Sequence, residues 1–542
     1  MTAGRALARA LLVLSAAVIG LIGWAILVGD PRVSVALLAG DDAGYYLAIA
    51  RNVCLGHGVS FDRVHPTNGF NPLLTLLLIG TDRMVPGLSL VGCYRAGLMI
   101  TFLALLLGLV FLVRLADRLL DPQRLPSDSR RLLIAASVAF YCLFLVPKKQ
   151  FGMDAALVLA IGTASLDRVA RNGPLAPGAR AAAIDGVLLG LLVLARVDNL
   201  PFLTAAYGVL GLLALAGTSR DRGAAAVRAL WTAATVAPFV VWSTREFGSW
   251  LPVSARIKSS FPHPDPVASL SVIRHSSVNA ADQLAFVVAY AGAWGVLIGL
   301  LREALAGRLV DSLRAPRQTI RAVLALYLVQ RLTFMLLFSR TDVQGGYVML
   351  AHVFNLVLVW SVVEWAAARA GGRHARAAVG AALGLALISL ALLAGKASAL
   401  RSRLQHPEAG NEIPLAQRIA AATRPDDVLY GGAFGLVGYF ADRAWINGDG
   451  VANTEDYQRA IADGDLRGWL RRSGVTHVVF ASGDTAFAGR AEPVMLRVSG
   501  ALSGRVDSIA VDPRDLVLTG RLARGLTAGH TGSVVYLVRY RS

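Results

Sequence analysis

Charge is scarce in this chain of 542 residues: Asp, Glu, Lys and Arg together make 16%, against 55% hydrophobic residues. That balance, with a mean hydropathy of +0.56, excludes an ordinary water-soluble domain of this length. Cysteine is scarcer still. Cys54, Cys93 and Cys142 are scattered, two of them within apolar runs, and make neither a disulfide framework nor a metal-ligand spacing. A Walker loop, a zinc spacing and a Ser/His/Asp order are also missing.

What is abundant is Leu, Ala, Val and Gly in long runs, and a run of about 20 helical residues crosses a hydrocarbon core. Backbone polar groups are satisfied in lipid only within helices or closed barrels, so repeated runs of this kind predict a polytopic α-helical membrane protein. The expected spans number about eleven: 10–29, 92–113, 132–147, 153–167, 182–195, 199–217, 226–243, 282–301, 319–338, 347–370 and 375–396. The first has no convincing small-residue cleavage site before the acidic loop that follows, so it is expected to be retained.

The formal net charge of +18 would suggest nucleic acid in a soluble protein. Here the arginines crowd short connections between apolar runs, as from Arg114 to Arg131 and from Arg302 to Arg321, which fits cytoplasmic loops and no nucleic-acid partner. With Arg5 and Arg9 holding the N-terminus inside, alternation places 114–131, 168–181, 218–225, 302–318 and 371–374 in the cytoplasm, and all five carry arginine. Two domains are then expected. Residues 1–397 form a transmembrane module with a first extracytoplasmic loop at 30–91, and 398–542 form a soluble extracytoplasmic α/β domain. The tail carries a helical pattern over 414–423 and strand-like runs at 427–430 and 475–480.

The first loop opens on Asp41-Asp42 and continues through Tyr45, Tyr46, Arg51-Asn52, Gly56-His57-Gly58 and His65-Pro66-Thr67-Asn68-Gly69-Phe70-Asn71-Pro72. Helical spacing over 42–55 aligns Tyr45, Ile49 and Val53, as in an amphipathic helix lying on the membrane surface. The acid pair would sit at that helix's N-terminus, where negative charge suits the dipole. One carboxylate suffices to cap a helix. Two could also deprotonate a hydroxyl, hold a divalent cation, or do one each.

This constellation resembles the GT-C glycosyltransferase superfamily, integral membrane enzymes that use polyprenyl-phosphate-linked sugars. The resemblance is closest to the arabinofuranosyltransferase branch and its mannosyltransferase-like relatives. Further similarity lies at Gly152-Met153-Asp154, Leu194-Ala195-Arg196-Val197-Asp198, Phe247-Gly248-Ser249-Trp250-Leu251-Pro252, Gly438-Tyr439-Phe440 and Asn447-Gly448-Asp449-Gly450. Asp154 stands where Glu is expected, and Asn71-Pro72-Leu73-Leu74 lacks an aromatic after Pro-Leu. The resemblance implies a transferase moving a sugar to a glycan, lipid or protein acceptor on the outer face of the cytoplasmic membrane. Asp41 is the expected base, and Asp42 would orient it or share a cation. Tyr45, Tyr46, His57, His65, Asn68, Asn71, Asp154, Asp198 and Asp449 are the expected substrate contacts.

Cations at outer ends of spans are candidates for the donor phosphate: Lys148, Lys149, Arg196, Arg256 and Lys258. Arg196, in a tight Arg-x-Asp turn, needs an anionic partner, either Asp198 or a phosphate gripped by the guanidinium fork. Arg340, Asp342, Tyr347 and His352 form a further outer group, with His352 expected to be a packing residue. Two rivals remain: a transporter or flippase of lipid-linked sugars, which predicts internal repeats and broken helices, and a non-catalytic assembly subunit.

Overall fold

The computed structural model describes residues 3–145, 151–175, 178–274, 280–340, 349–369, parts of 380–394, 410–432, 434–482, 487–499, 506–522 and 533–541. Sixteen helices whose bounds fall within the described residues precede the tail: α1 Ala3–Leu27, α2 Pro31–Leu37, α3 Ala43–Cys54, α4 Pro72–Met84, α5 Leu90–Leu119, α6 Ser127–Phe140, α7 Ala155–Asn172, α8 Ala179–Ala195, α9 Leu200–Leu215, α10 Ser219–Phe247, α11 Val253–Lys258, α12 Pro266–Arg274, α13 Ala280–Leu305, α14 Leu309–Arg314, α15 Pro316–Phe338 and α16 Met349–Arg369. Each of the first ten expected spans meets one of these helices. The eleventh falls mostly outside the described residues. Among the described residues seven helices, α1, α5, α9, α10, α13, α15 and α16, are long and apolar enough to cross a membrane.

Local chemistry sets the helix ends. Pro31, Pro72, Pro201 and Pro316 stand in the first turn of their helices, where a missing N–H costs nothing. Ser89 accepts from the Gly92 N–H at 3.1 Å, while Thr218 and Asp221 form a reciprocal capping box at the start of α10. Gly248, at φ 66°, ends α10 in the left-handed conformation that glycine adopts without strain.

Ion pairs tie one end of the bundle together. Arg118 of α5 bonds Asp167 of α7 at 2.9 Å, Arg168 of α7 pairs with Asp185 of α8, and Arg317 of α15 pairs with Glu364 of α16 at 2.5 Å. These are the ends that carry the arginine-bearing connections. The first loop and the tail gather at the other end.

The tail continues with α17 Glu412–Ala422, β1 Val428–Gly431, α18 Gly435–Ala441, β2 Ala444–Asn447, α19 Glu455–Asp463, α20 Leu466–Arg472, β3 Val475–Ser482, β4 Val494–Ser499, β5 Val506–Val511, β6 Leu516–Leu522 and β7 Ser533–Arg539. One sheet runs β2-β1-β3-β7-β6, with β1 parallel to β2 and β3 and with β7 antiparallel to β3 and β6; β4 and β5 form a separate antiparallel pair. The expected junction near residue 397 lies outside the described residues. A single apolar core runs from α1 through the bundle into the tail, taking in Leu415, Phe434, Leu436, Trp445 and Val535. A second core, around Tyr457, Trp469 and Tyr536, lies in the tail alone.

The first loop departs from expectation in one respect. Its helix α3 does form, but Ala43 through Ala50 are all buried, so it is not a half-exposed helix on a membrane surface. The tail covers it. A Cβ on Gly44 would run into the Gly435 carbonyl, and one on Gly435 into the Asp41 carbonyl, so α3 and α18 cross backbone to backbone with glycine on both sides.

Candidate functional site

Helix α3 is the pivot of the site, because consecutive residues on it face two different partners. Asp42 occupies its N-cap position, yet the side chain makes no capping bond there. Asp41 caps a different helix: its two oxygens accept the backbone N–H groups of Gly435 at 3.1 Å and Leu436 at 3.2 Å, at the start of α18. The acid pair is thereby split. Asp41 ties the loop to the tail, whereas the Asp42 carboxylate has no hydrogen bond or ion pair among the described residues and is only partly buried.

Tyr45 faces the tail. Its hydroxyl donates to Asp449 Oδ2 at 3.1 Å and accepts from the Asn447 side chain at 2.9 Å. Asp449 is open to solvent at its own surface yet hemmed in by protein, which pushes its carboxyl up; the Val451 N–H works against that, and the charge of Asp42 adds to it. Burial, aided by Asp449, also pushes the Tyr45 phenol far up, so Tyr45 stays a proton donor.

Tyr46 faces the membrane helices. It donates to Asp154 Oδ2 at 2.7 Å, and Asn71 bonds both the Tyr46 hydroxyl at 3.1 Å and the same carboxylate. Asp154 in turn accepts from Arg196 Nη1 at 2.9 Å, and Arg196 forks onto Asp198 through Nε at 3.0 Å and Nη2 at 3.1 Å. Asp198 is completed by Arg331 of α15 at 2.6 Å. Of the two partners the Arg-x-Asp turn left open, Asp198 is present, with Asp154 beside it. Arg331 was invisible to motif reading because it sits alone in an apolar run. Its signal was an unexplained intramembrane arginine.

Beside this network is a cavity of about 360 Å³, within the size range of small-ligand sites. Arg196, Arg331 and Lys258 supply its cations, while Leu200, Pro201, Trp250, Leu251, Phe261, Phe334 and Met335 supply apolar wall. Asn71 and Asp198 line it too, whereas Asp154 lies behind Arg196 and is 1% exposed. Lys258 links this cavity to the tail side electrostatically, since its charge is felt at Asp449.

Other expected contacts lie elsewhere. His57 is exposed beyond the C-terminal end of α3, a helix of 12 residues, so about 18 Å from the acid pair. His65 bonds Asp62 at 2.8 Å and Ser473 at 3.2 Å and stacks on Trp469, which docks the loop on the tail. Asn68 is buried and braces the α10–α11 connection through Ser243, Leu251 and Val253. Arg256 pairs with Glu455 of α19. His352 is 1% exposed and packs near Phe140. Lys148, Lys149, Asp342 and Tyr347 lie outside the described residues.

A cation between Asp41 and Asp42 is poorly served, because the Asp41 oxygens already take two amides. Among the described residues no three His, Cys, Asp or Glu groups gather to hold a metal ion.

No family model matches the chain, and no curated protein matches it. The solved structures do give a likeness. The oligosaccharyltransferase of Archaeoglobus fulgidus, in its apo form, aligns with a TM-score of 0.51 over 89% of this chain and 70% of its own, at 13% identity. The chain has a GT-C fold. Similar, at lower scores, are ArnT from Cupriavidus metallidurans bound to undecaprenyl phosphate (TM-score 0.43, 15% identity, 92% of this chain and 97% of that one) and AglB from Archaeoglobus fulgidus in complex with an inhibitory peptide and a dolichol-phosphate (0.47, 12%, 98% and 76%). The alignment with the apo oligosaccharyltransferase covers 89% of this chain, so it takes in the helices and part of the C-terminal region.

Proposed function

We propose that this GT-C chain is a glycosyltransferase that moves a sugar from a polyprenyl-phosphate-linked donor to a glycan, lipid or protein acceptor. The observation that carries the reading is the cavity that joins apolar walls to Arg196, Arg331 and Lys258, a combination suited to an isoprenoid chain ending in a phosphate. The arabinofuranosyltransferase-like assignment stays with the motifs of the first loop.

In this reading the base passes to Asp42, because a general base needs a free lone pair facing its substrate and Asp41 is occupied as a helix cap. Asp42 takes the proton of an acceptor hydroxyl, whose oxygen attacks the anomeric carbon. The bond from that carbon to the phosphate oxygen breaks, and the phosphate leaves with its charge stabilised by the cavity cations. Tyr45 and Asp449 contact the acceptor. Asp154, Asp198, Tyr46 and Asn71 hold Arg196 in place. The arginine-rich end of the bundle faces the cytoplasm, the N-terminus with it, and the first loop and the tail lie outside the inner membrane.

The test is incubation of the purified protein with radiolabelled polyprenyl-phosphate sugars and candidate acceptors. Transfer from at least one donor, abolished in Asp42→Asn, is the expected result. Transfer that survives substitution of both Asp41 and Asp42 by Asn would remove the chemical centre of the proposal.

A further inference from the structure

Arg228 lies on α10 toward the arginine-rich end of the bundle, does not line the donor cavity, and is 2% exposed. Its Nη2 donates to Asp185 Oδ2 at 3.1 Å and to the Pro174 carbonyl at 3.2 Å. Nε and Nη1 have no partner among the described residues. Such a group is unusual, because an unmet buried donor forfeits its hydration without a return. Asp185 does not neutralise it alone, since the same carboxylate also pairs with Arg168. Two guanidiniums therefore share one negative charge, leaving one positive charge over.

That excess faces a cavity of about 40 Å³ walled by Leu166, Leu189, Phe202 and Leu210. At about 10–15 Å³ of such space per water, the cavity has room for two to four waters or for one small anionic group. Water would satisfy the two N–H donors but would not offset the charge, and an uncompensated buried charge is the costlier defect. Snorkelling is closed to Arg228 because its side chain is enclosed by protein.

We infer that this cavity is a binding site for a singly charged anionic group, the phosphodiester of an acidic membrane lipid or a halide ion, gripped by Nε and Nη1 of Arg228. The bound anion closes the charge balance of Arg168, Asp185 and Arg228 and so fastens α7, α8 and α10 around a cavity distinct from the donor cavity. It touches no step of sugar transfer.

The test is the melting temperature of delipidated full-length protein in a neutral detergent. Phosphatidylglycerol is titrated in against phosphatidylcholine, and separately chloride against gluconate. A saturable rise, on the order of 2–4 °C, is expected with phosphatidylglycerol, with chloride, or with both, and the pattern names the occupant. The rise should vanish in Arg228→Gln, return in part in Arg228→Lys, and persist in the control Arg171→Gln, which alters an exposed arginine on the same end. Parent protein that responds to neither ligand overturns the inference without recourse to any variant. So does an equal response in Arg228→Gln.

Discussion

The two sides of helix α3 solve opposite electrostatic problems. On the membrane side, Asp154, Arg196, Asp198 and Arg331 form a closed chain in which two carboxylates meet two guanidiniums at 2.6–3.1 Å. On the tail side, Asp42 and Asp449 repel one another, moderated by the Val451 N–H, by Tyr45 and by the charge of Lys258. A balanced set fixes geometry, and an unbalanced one keeps a carboxylate reactive. The side of α3 that looks better built is therefore the scaffold, and the side left unsatisfied is where chemistry is expected.

The largest effect that could break this contrast is catalytic. Asp42→Asn should lower sugar transfer about 100 to 10,000-fold without lowering the melting temperature, and Asp41→Asn should lower the melting temperature more than it lowers turnover. Equal turnover losses in the two, without any shift in either melt, would dissolve the division of labour within the pair. On the balanced side, Arg331→Met leaves Asp154 and Asp198 to share the single charge of Arg196 and should cost about 3–5 kcal/mol of stability, read in a denaturant titration. An unchanged midpoint would mean the network is ornamental.

The unbalanced side should show in the pH dependence of stability. The carboxyl of Asp449 is raised in the folded protein, so its folded form holds a proton that the unfolded form has released. Stability therefore falls as pH rises from the ordinary carboxylate range through the raised value, and the deficit stays above it. Asp449→Asn keeps an oxygen for Tyr45 and removes the charge. Its melting temperature should exceed the parent's at neutral pH and converge with it in acid; curves that run parallel across the titration would show that Asp449 is not strained by its setting. The smallest effect concerns the rim. Burial opposes the charge of Asp442, yet Arg63 and Arg51 hold its carboxyl below the usual range. Because Asp442 is 36% exposed, a double-mutant cycle with Arg51 should return about 0.2–1 kcal/mol, weakening with salt. A coupling several-fold larger would make this pair part of the scaffold instead.

How much of this was legible in the sequence follows from the range of each signal. Hydropathy is a local property, so the first ten apolar runs were readable as helices, and seven helices among the described residues are long and apolar enough to cross a membrane. Helix α3 was readable by its period, but its full burial was not, because the surface that covers it comes from α18, which is distant in the chain and only seven residues long. The motifs flagged Asp41, Asp42, Asp154, Arg196, Asp198 and Asp449, and the structure brings these onto the two sides of α3. They could not say which carboxylate of the pair is spent on amides. His57 and His65 carried the same kind of signal and proved remote or docked. Strand β2, four residues long, was too short for periodicity, and Arg331 had no neighbour to form a motif with.

The backbone crossing of Gly44 and Gly435 also bears on how the protein is made. Asp41 meets its amide partner 394 residues later in the chain, so at about 5–20 residues per second the first loop emerges about 20–80 s before the segment that will cover it. Throughout that interval the apolar faces of α3 lack their lid. A nascent chain of this design therefore depends on the membrane or on a folding factor to shield α3, and truncation anywhere upstream of α18 should yield a product that inserts but is degraded.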